Sequence, residues 1–313
     1  MILDRVRGGL YGVAVGDAFG AALEFMSPKE IKLKHGRLKE IVGGGWLKLK
    51  PGDWTDDTEM TLAVAEGILA GPHDPVPYIG ERFLEWLKTN PPDIGNTIKA
   101  AFVNYQRLKD WHKAAEAVHD GGMLTAGNGA LMRTLPVALA YRDAADIYMM
   151  SMQIARMTHW DPEAGLTCFL YCLFARELLS GIGEKITAWK KVTGEFLKMV
   201  PERFSEIAQR VVQEKLKNIW EWPESRLNPG GYTVDTLACA VWCFLNQGNF
   251  EEALVCAVNL GGDADTVGAV TGGLAGVHWG FDNIPERWTA KLSPAQKSRL
   301  GRLAEAFKKI VVL

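Results

Sequence analysis

Apolar residues recur every three to four positions along almost the whole chain, and alternating apolar-polar runs are scarce, so the periodicity predicts helices and few strands. Helices are expected over residues 5–23, 57–70, 77–88, 96–108, 128–141, 144–157 and 162–179. They continue over 185–198, 202–220, 233–245, 250–260, 263–277 and 294–310. Short breakers separate them: Pro72 to Pro75, Pro91-Pro92, Gly121-Gly122 and the stretch 223–231. No Ser- or Gly-rich linker, charge block or low-complexity tract marks a boundary, so residues 1–313 are expected to form one all-α domain.

One helix carries an unusual face. Glycine stands at 268, 272, 276 and 280, forming a bare stripe. Glycine inside a helix costs roughly 1 kcal/mol relative to alanine, so the stripe predicts a neighbouring helix packed almost backbone to backbone. This helix begins at Asp263-Ala264-Asp265-Thr266, and burying it would fix that acidic run deep in the molecule.

About half of the 313 residues are apolar and the formal net charge is −2, so there is ample chain for a core and no global attraction for nucleic acid or anionic membrane. The basic residues from Lys29 to Lys39 read as a solvated face. The N-terminus lacks an apolar signal core, and the longest apolar stretch, 166–175, contains Thr167 and stops at Arg176, short of a membrane span. A cytoplasmic monomer is expected, without membrane or nucleic-acid partners. Cys168/Cys172 and Cys239/Cys243 are i,i+4 pairs in apolar helical patterns and Cys256 stands alone. With no His or further Cys close by, buried reduced thiols are expected rather than a zinc site.

The chemistry concentrates in two acidic runs far apart in sequence. Thr55-Asp56-Asp57-Thr58 and Asp263-Ala264-Asp265-Thr266 each sit where a Gly-containing stretch turns into a helical pattern. A carboxylate at a helix N-terminus is stabilised by free N–H groups and the helix dipole, which accounts for either run alone. Two matching runs that converge would bring four carboxylates into a small volume, where they stay ionised only with cations among them. Oxygen ligands without Cys or His select hard ions such as Mg²⁺ or Mn²⁺.

Other segments add to the pattern. Glu24, after Gly16-Asp17-Ala18-Phe19-Gly20, could be a metal ligand, a base or a helix-face charge. Asp93-Ile94-Gly95-Asn96 reads as a turn and cap, or as part of a site. Gly127-Asn128-Gly129, leading into an apolar helix through Met132-Arg133, could offer N–H groups to phosphate oxygens, although it is not a Walker loop. His159, in Thr158-His159-Trp160-Asp161-Pro162, stands at a helix junction, where a structural role competes with a functional one.

These segments together resemble the ADP-ribosylglycohydrolase family, especially the branch that includes dinitrogenase-reductase-activating glycohydrolase. The resemblance runs from Gly9 to about Gly280. It takes in Gly16-Asp17-Ala18, Trp54 to Thr58, Gly127-Asn128-Gly129 with Met132-Arg133, and Thr158-His159. It continues through Gly231-Tyr232-Thr233-Val234-Asp235-Thr236-Leu237 and Asn259 to Thr266. The resemblance implies an all-α fold around a cleft with two divalent cations, Mg²⁺ or Mn²⁺. It implies hydrolysis of the bond joining ADP-ribose to a modified protein side chain, arginine foremost, with ADP-ribose as product. Carried onto this sequence, Thr55, Asp56 and Asp57 would bind metal from one side and Asp263, Asp265 and Thr266 from the other. Gly127, Asn128 and Gly129 match the diphosphate loop, and His159 a position lining the ligand site. Asp93 and Asn96 match a pair at the substrate, and Tyr232 a tyrosine bordering the cleft. Glu24 matches a glutamate near metals and ribose, and Asp93 and Glu24 are the candidates for catalytic proton transfer.

Serine-linked and other ADP-ribose conjugates remain open, because acceptor choice lies in variable loops. A non-catalytic relative, like the lens crystallins of this family, would have little reason to keep an intact acidic set. A His-Asp phosphohydrolase needs its dipeptide inside a helix, whereas His73-Asp74 and His119-Asp120 both read as loop ends.

Overall fold

The computed structural model describes residues 2–181 and 183–311. Its helices are α1 (Ile2–Gly20), α2 (Pro28–His35), α3 (Asp56–Ala70), α4 (Val76–Lys88), α5 (Asn96–Leu108), α6 (Trp111–Asp120), α7 (Leu135–Ala140) and α8 (Ala144–Ala155). They continue with α9 (Pro162–Ser180), α10 (Lys185–Met199), α11 (Ser205–Gln209), α12 (Thr233–Asn246), α13 (Phe250–Val258), α14 (Ala264–Trp279), α15 (Glu286–Thr289) and α16 (Pro294–Val311). Among the described residues, β pairing is limited to two isolated bridges, Gly44 with Leu49 and Gly127 with Tyr232. The fold is all-α, as the periodicity predicts. Among those residues no helix is long and apolar enough to cross a membrane.

The centre is an antiparallel pair, α1 against α14. α1 is buried from Gly8 to Gly20 and α14 from Ala264 to Val277. A Cβ added to Gly8, Gly12 or Gly16 would stand 2.2, 2.0 or 2.1 Å from the carbonyl oxygen of Gly276, Gly272 or Gly268. At Gly20 it would stand 2.1 Å from that of Ala264. The glycine stripe therefore finds the backbone-to-backbone partner it implied. Gly280 differs: it caps α14 with φ 87°, and a side chain there would strike Asp4. This register ends α1 and begins α14 at the same level. That level is the floor of the cleft.

Around the pair, α9, α12 and α13 pack on α14, α16 packs on α1, and α3 joins α4 and α7. One extensive apolar core, with Phe19, Trp189, Phe244 and Trp288 fully buried, runs through these layers. All five cysteines are free and buried, as expected.

Local prediction failed where long-range partners hold the backbone. Residues 128–141 were expected as one helix, yet α7 begins only at Leu135, with Pro136 in its first turn. Upstream, Asn128 N–H donates to Gly231 O at 2.9 Å and Gly127 bridges Tyr232, so this stretch is held by another segment. Residues 202–220 break into a 3₁₀ turn, α11, a π-helical stretch at Arg210–Lys215 and a further turn. Arg210 in that stretch is tied to Glu163 of α9. Conversely, α2 buries only Ile31, so hydrophobic periodicity leaves it unmarked despite its Ser27/Glu30 capping box. α6 and the single-turn α15 were also unforeseen.

Candidate active site

Both acidic runs start helices, as expected: Thr55 is the N-cap of α3 and Asp263 that of α14. At α3 the Thr55 hydroxyl accepts from the Asp57 N–H, and two further N–H groups are satisfied from another helix. Asp17, in the last turn of α1 and fully buried, accepts from the N–H groups of Thr55 and Thr58, each at 3.0 Å. It also accepts from their hydroxyls at 3.0 and 2.5 Å. Asp17 thus caps α3 in trans, and Asp56 and Asp57 turn to the cleft. In sequence Asp17 shows only as part of the Gly16-Asp17-Ala18 motif, because its partners Thr55 and Thr58 belong to the start of a distant helix.

The second run is pinned by main chain. Gly261 and Gly262 adopt φ of 71° and 64°, in the left-handed region where side chains are disfavoured. Gly262 N–H donates to Met26 O at 2.8 Å and Phe25 N–H to Gly262 O at 2.7 Å. Asp263 N–H donates to Pro229 O at 2.8 Å. These bonds draw the turn after α1 against the start of α14, so that Glu24, Asp263 and Asp265 each offer a carboxylate oxygen within 4.8 Å of the others. Thr266 and Thr55 hydroxyls both reach Asp57 Oδ2 at 3.4 Å, joining the two runs. Trp46 Nε1–H donates to Glu24 Oε2 at 2.6 Å, a contact with no local signature in the chain.

The electrostatics are lopsided. Among the described residues no Lys or Arg forms an ion pair with Asp17, Glu24, Asp56, Asp57, Asp93, Asp263 or Asp265. Burial pushes Asp56 up to about 8, helped by the charges of Asp93 and Asp17. Burial raises Glu24 to about 7, with Asp93 and Asp263 adding to it against the Trp46 bond. Asp57 and Asp265 are driven well above the usual carboxylate range by burial and then by neighbouring carboxylates. Asp17 rises to about 6 through burial, although four bonds from Thr55 and Thr58 oppose it. Asp57 Oδ1 is buried without a hydrogen-bond partner. An all-oxygen donor set with an orphaned carboxylate oxygen and no balancing cation suits a hard divalent ion.

A cleft of about 790 Å³ opens onto this cluster. It brings together Glu24, Asp56, Asp57, Asp93, Asn96, Gly127, Asn128, Gly129, His159, Tyr232, Asp263, Asp265 and Thr266. Thr55 is set behind the floor and faces a neighbouring cavity of about 420 Å³ that shares Asp56 and Asp93 with the cleft. Asn96 is the first residue of α5 and exposed, with Gly95 as the N-cap. Asp93 is half-buried, its carboxyl raised by burial.

Opposite the acidic floor, the Gly127–Gly129 loop is not the helix N-terminus expected from sequence. Asn128 Nδ2–H donates to Asp263 Oδ2 at 2.6 Å and to Thr236 Oγ1 at 3.0 Å, linking the loop to the second acidic run. Tyr232 donates its hydroxyl to Glu163 at 2.7 Å, and Arg210 holds the same carboxylate. Glu163 and Arg210 were not foreseen. Nothing local distinguishes Glu163 from an ordinary first-turn acid or Arg210 from a surface cation. His73 is exposed between α3 and α4; His119-Asp120, expected at a loop end, instead form the last two residues of α6, with His119 Nδ1 at 2.7 Å from Thr125 Oγ1. Neither joins the carboxylate cluster.

A helical fold and a buried carboxylate cluster under a cleft define the class, and comparison with known proteins agrees with it. The sequence profile of the ADP-ribosylglycohydrolase family matches residues 1–312, and the chain belongs to that family. ADP-ribosyl-[dinitrogen reductase] glycohydrolase of Rhodospirillum rubrum is 35% identical over 304 residues, covering 97% of this chain and 95% of that protein. ADP-ribosylarginine hydrolase Tri1 of Serratia proteamaculans (strain 568) is 31% identical over 312 residues, covering 97% and 78%. A solved structure described as an ADP-ribosylglycohydrolase-related protein complex superposes with TM-score 0.78 at 35% identity, covering 99% of both chains. The family and the branch expected from the motifs are both recovered.

Proposed function

We propose that this protein hydrolyses the N-glycosidic bond between ADP-ribose and a modified protein side chain, arginine foremost, with divalent cations in the cleft. The observation that carries the reading is the buried acidic floor, with Asp57 Oδ1 unpartnered, under a cleft bordered by Gly127–Gly129 and Asp93–Asn96. The relatives named for ADP-ribosylarginine and ADP-ribosyl-dinitrogen reductase hydrolysis support the acceptor.

In this reading Thr55, Asp56 and Asp57 hold cations from the α3 side and Asp263, Asp265 and Thr266 from the α14 side, with Glu24 beside them. Two ions, Mg²⁺ or Mn²⁺, would supply Lewis acidity and positive charge at the ribose. The protein's own groups do the rest. Gly127, Asn128, Gly129 and His159 hold the diphosphate, and Tyr232 borders the far wall. The oxygen of water bonds to the anomeric carbon and gives up a proton, the carbon–nitrogen bond breaks, and the leaving guanidine nitrogen takes up a proton in its place. Asp93 suits that proton transfer, being half-buried, raised in pKa and adjacent to Asn96 at the cleft edge. Glu24 is the second candidate, held in place by Trp46.

The test is release of ADP-ribose from a mono-ADP-ribosylated arginine peptide, with Mg²⁺ or Mn²⁺ and with a chelator. Cation-dependent release is the expected result. Release only from a serine-linked peptide would move the acceptor to oxygen. No release from either, with no cation-linked rise in melting temperature, would favour a non-catalytic relative.

A further inference from the structure

The Gly127–Gly129 loop presents a donor problem. Its central N–H is taken by Gly231 O, and the Asn128 side-chain amide by Asp263 and Thr236. Among the described contacts that leaves the loop only the N–H groups of Gly127 and Gly129 to offer, so an anionic ligand lying along it gains from a further donor. His159 is in place to provide it. Its imidazole is buried yet lines the cleft, and its Nε2–Cε1 edge lies flat against the loop. A Cβ on Gly127 would come within 3.2 Å of Nε2, and one on Gly129 within 2.9 Å of Cε1. The ring leaves little room for a side chain at either position, least at Gly129, where Ile98 also closes in.

The other ring nitrogen is fixed by a buried chain of bonds. Arg133, fully buried, donates from Nη1 to Gly129 O at 2.9 Å. From Nη2 it donates to Ile154 O at 3.3 Å and to Thr158 Oγ1 at 2.8 Å. Thr158 Oγ1 lies 2.7 Å from His159 Nδ1. A guanidinium can only donate, so Thr158 Oγ1 accepts from Arg133. The hydroxyl keeps one proton, and among the described contacts Nδ1 is the one acceptor within its reach, so its bonding is complete when it donates there. Nδ1 is then an acceptor, and the ring proton sits on Nε2, at the edge facing the loop.

We propose that Arg133 and Thr158 are positioning residues that hold His159 as the neutral Nε2–H tautomer, so that it donates a hydrogen bond to the diphosphate of the bound ADP-ribosyl group. This rests on the ligand assigned under Proposed function. The surroundings keep the ring neutral: burial, and then the charge of Arg133, lower the imidazole to about 3. One guanidinium thus couples the loop's shape, through Gly129 O, to the proton position on the ring that faces it.

The tautomer is read directly from long-range ¹H–¹⁵N spectra of ¹⁵N-histidine-labelled protein, with His159 assigned by its loss in His159→Asn. The expected spectrum has a pyrrole-type Nε2 and a pyridine-type Nδ1. A proton on Nδ1 overturns the inference without recourse to any further variant. Thr158→Val, which keeps the shape and removes the hydroxyl, should shift the proton toward Nδ1. It should raise KM for the ADP-ribosylated arginine peptide about tenfold, with kcat changed less than about twofold, and Thr158→Ser should restore both. Calorimetry with ADP-ribose separates the two readings. No binding by the unsubstituted protein fails the proposed function, whereas binding that Thr158→Val leaves unweakened overturns this inference alone.

Discussion

The two sides of the cleft are built on opposite electrostatic terms. On the floor, Asp17, Glu24, Asp56, Asp57 and Asp265 are all buried and all raised in pKa, and one Asp57 oxygen has no partner. On the opposite wall, Arg133 donates to Gly129 O and to Thr158, which lies at hydrogen-bond distance from the neutral ring of His159, and Arg133 Nε is left without a partner. The floor holds carboxylates with no Lys or Arg paired to them among the described residues, while the wall carries its own positive charge in Arg133. Asn128 spans the two, bonded to Asp263 on one side and lying in the glycine loop on the other.

Removing a floor carboxylate should break the comparison most severely. Asp57→Asn is expected to lower kcat by about 10³-fold in the peptide assay, the scale of losing a main electrostatic contact to the reacting centre. It should also abolish the cation-linked rise in melting temperature. If Asp57→Asn kept both activity and cation dependence, the floor would have been misread.

The glycine seam that sets the floor comes next. Gly272→Ala places a Cβ 2.0 Å from the backbone carbonyl of Gly12, where no side chain can yield, and should destabilise the fold by up to about 3 kcal/mol. Gly194→Ala in α10 meets nothing within 4 Å and should be neutral or stabilising by about 0.5 kcal/mol. Urea unfolding of both variants measures the contrast.

Cation and pH should act on the floor together. Saturating Mg²⁺ or Mn²⁺ at about a hundredfold over Kd should stabilise by about 2.7 kcal/mol, reversed by chelator. Carboxyls raised in the folded state bind protons there that the unfolded chain has already lost. The associated stability is present below about pH 4 and is lost as pH climbs through the folded values near 6, 7 and 8 of Asp17, Glu24 and Asp56. Chelated protein should therefore melt higher at about pH 5.5 than at about pH 8, and bound cation should flatten or invert that slope. A chelated protein whose melting temperature rises with pH over this window would contradict the assignment.

The smallest effect sharpens the comparison at its junction. Asn128→Ala removes the bond between wall and floor, and should weaken both cation and ADP-ribose binding about tenfold. Calorimetric titration of each ligand would reveal whether the two sides are coupled through this residue or only adjacent.

Sequence by itself determined the all-α class, the helix starts at both acidic runs, the buried thiols and a helix packed tightly on the glycine stripe. Each of these has a local signature: a 3.6-residue repeat, carboxylates after glycine, a bare face every fourth position. The family motifs added the remaining cleft residues, and the structure gathers all but Thr55 around one space. Tertiary structure alone decided that Asp17 caps α3 from another helix and that Trp46 holds Glu24. It also decided that Glu163 answers to Tyr232 and Arg210, and that residues 128–134 form a bound loop instead of a helix. In each case the deciding bond joins residues far apart in the chain, often through polar side chains with no periodic mark. Local propensity of a fraction of a kcal/mol per residue yields to such buried partners, because leaving them unpaired costs about 1–3 kcal/mol each.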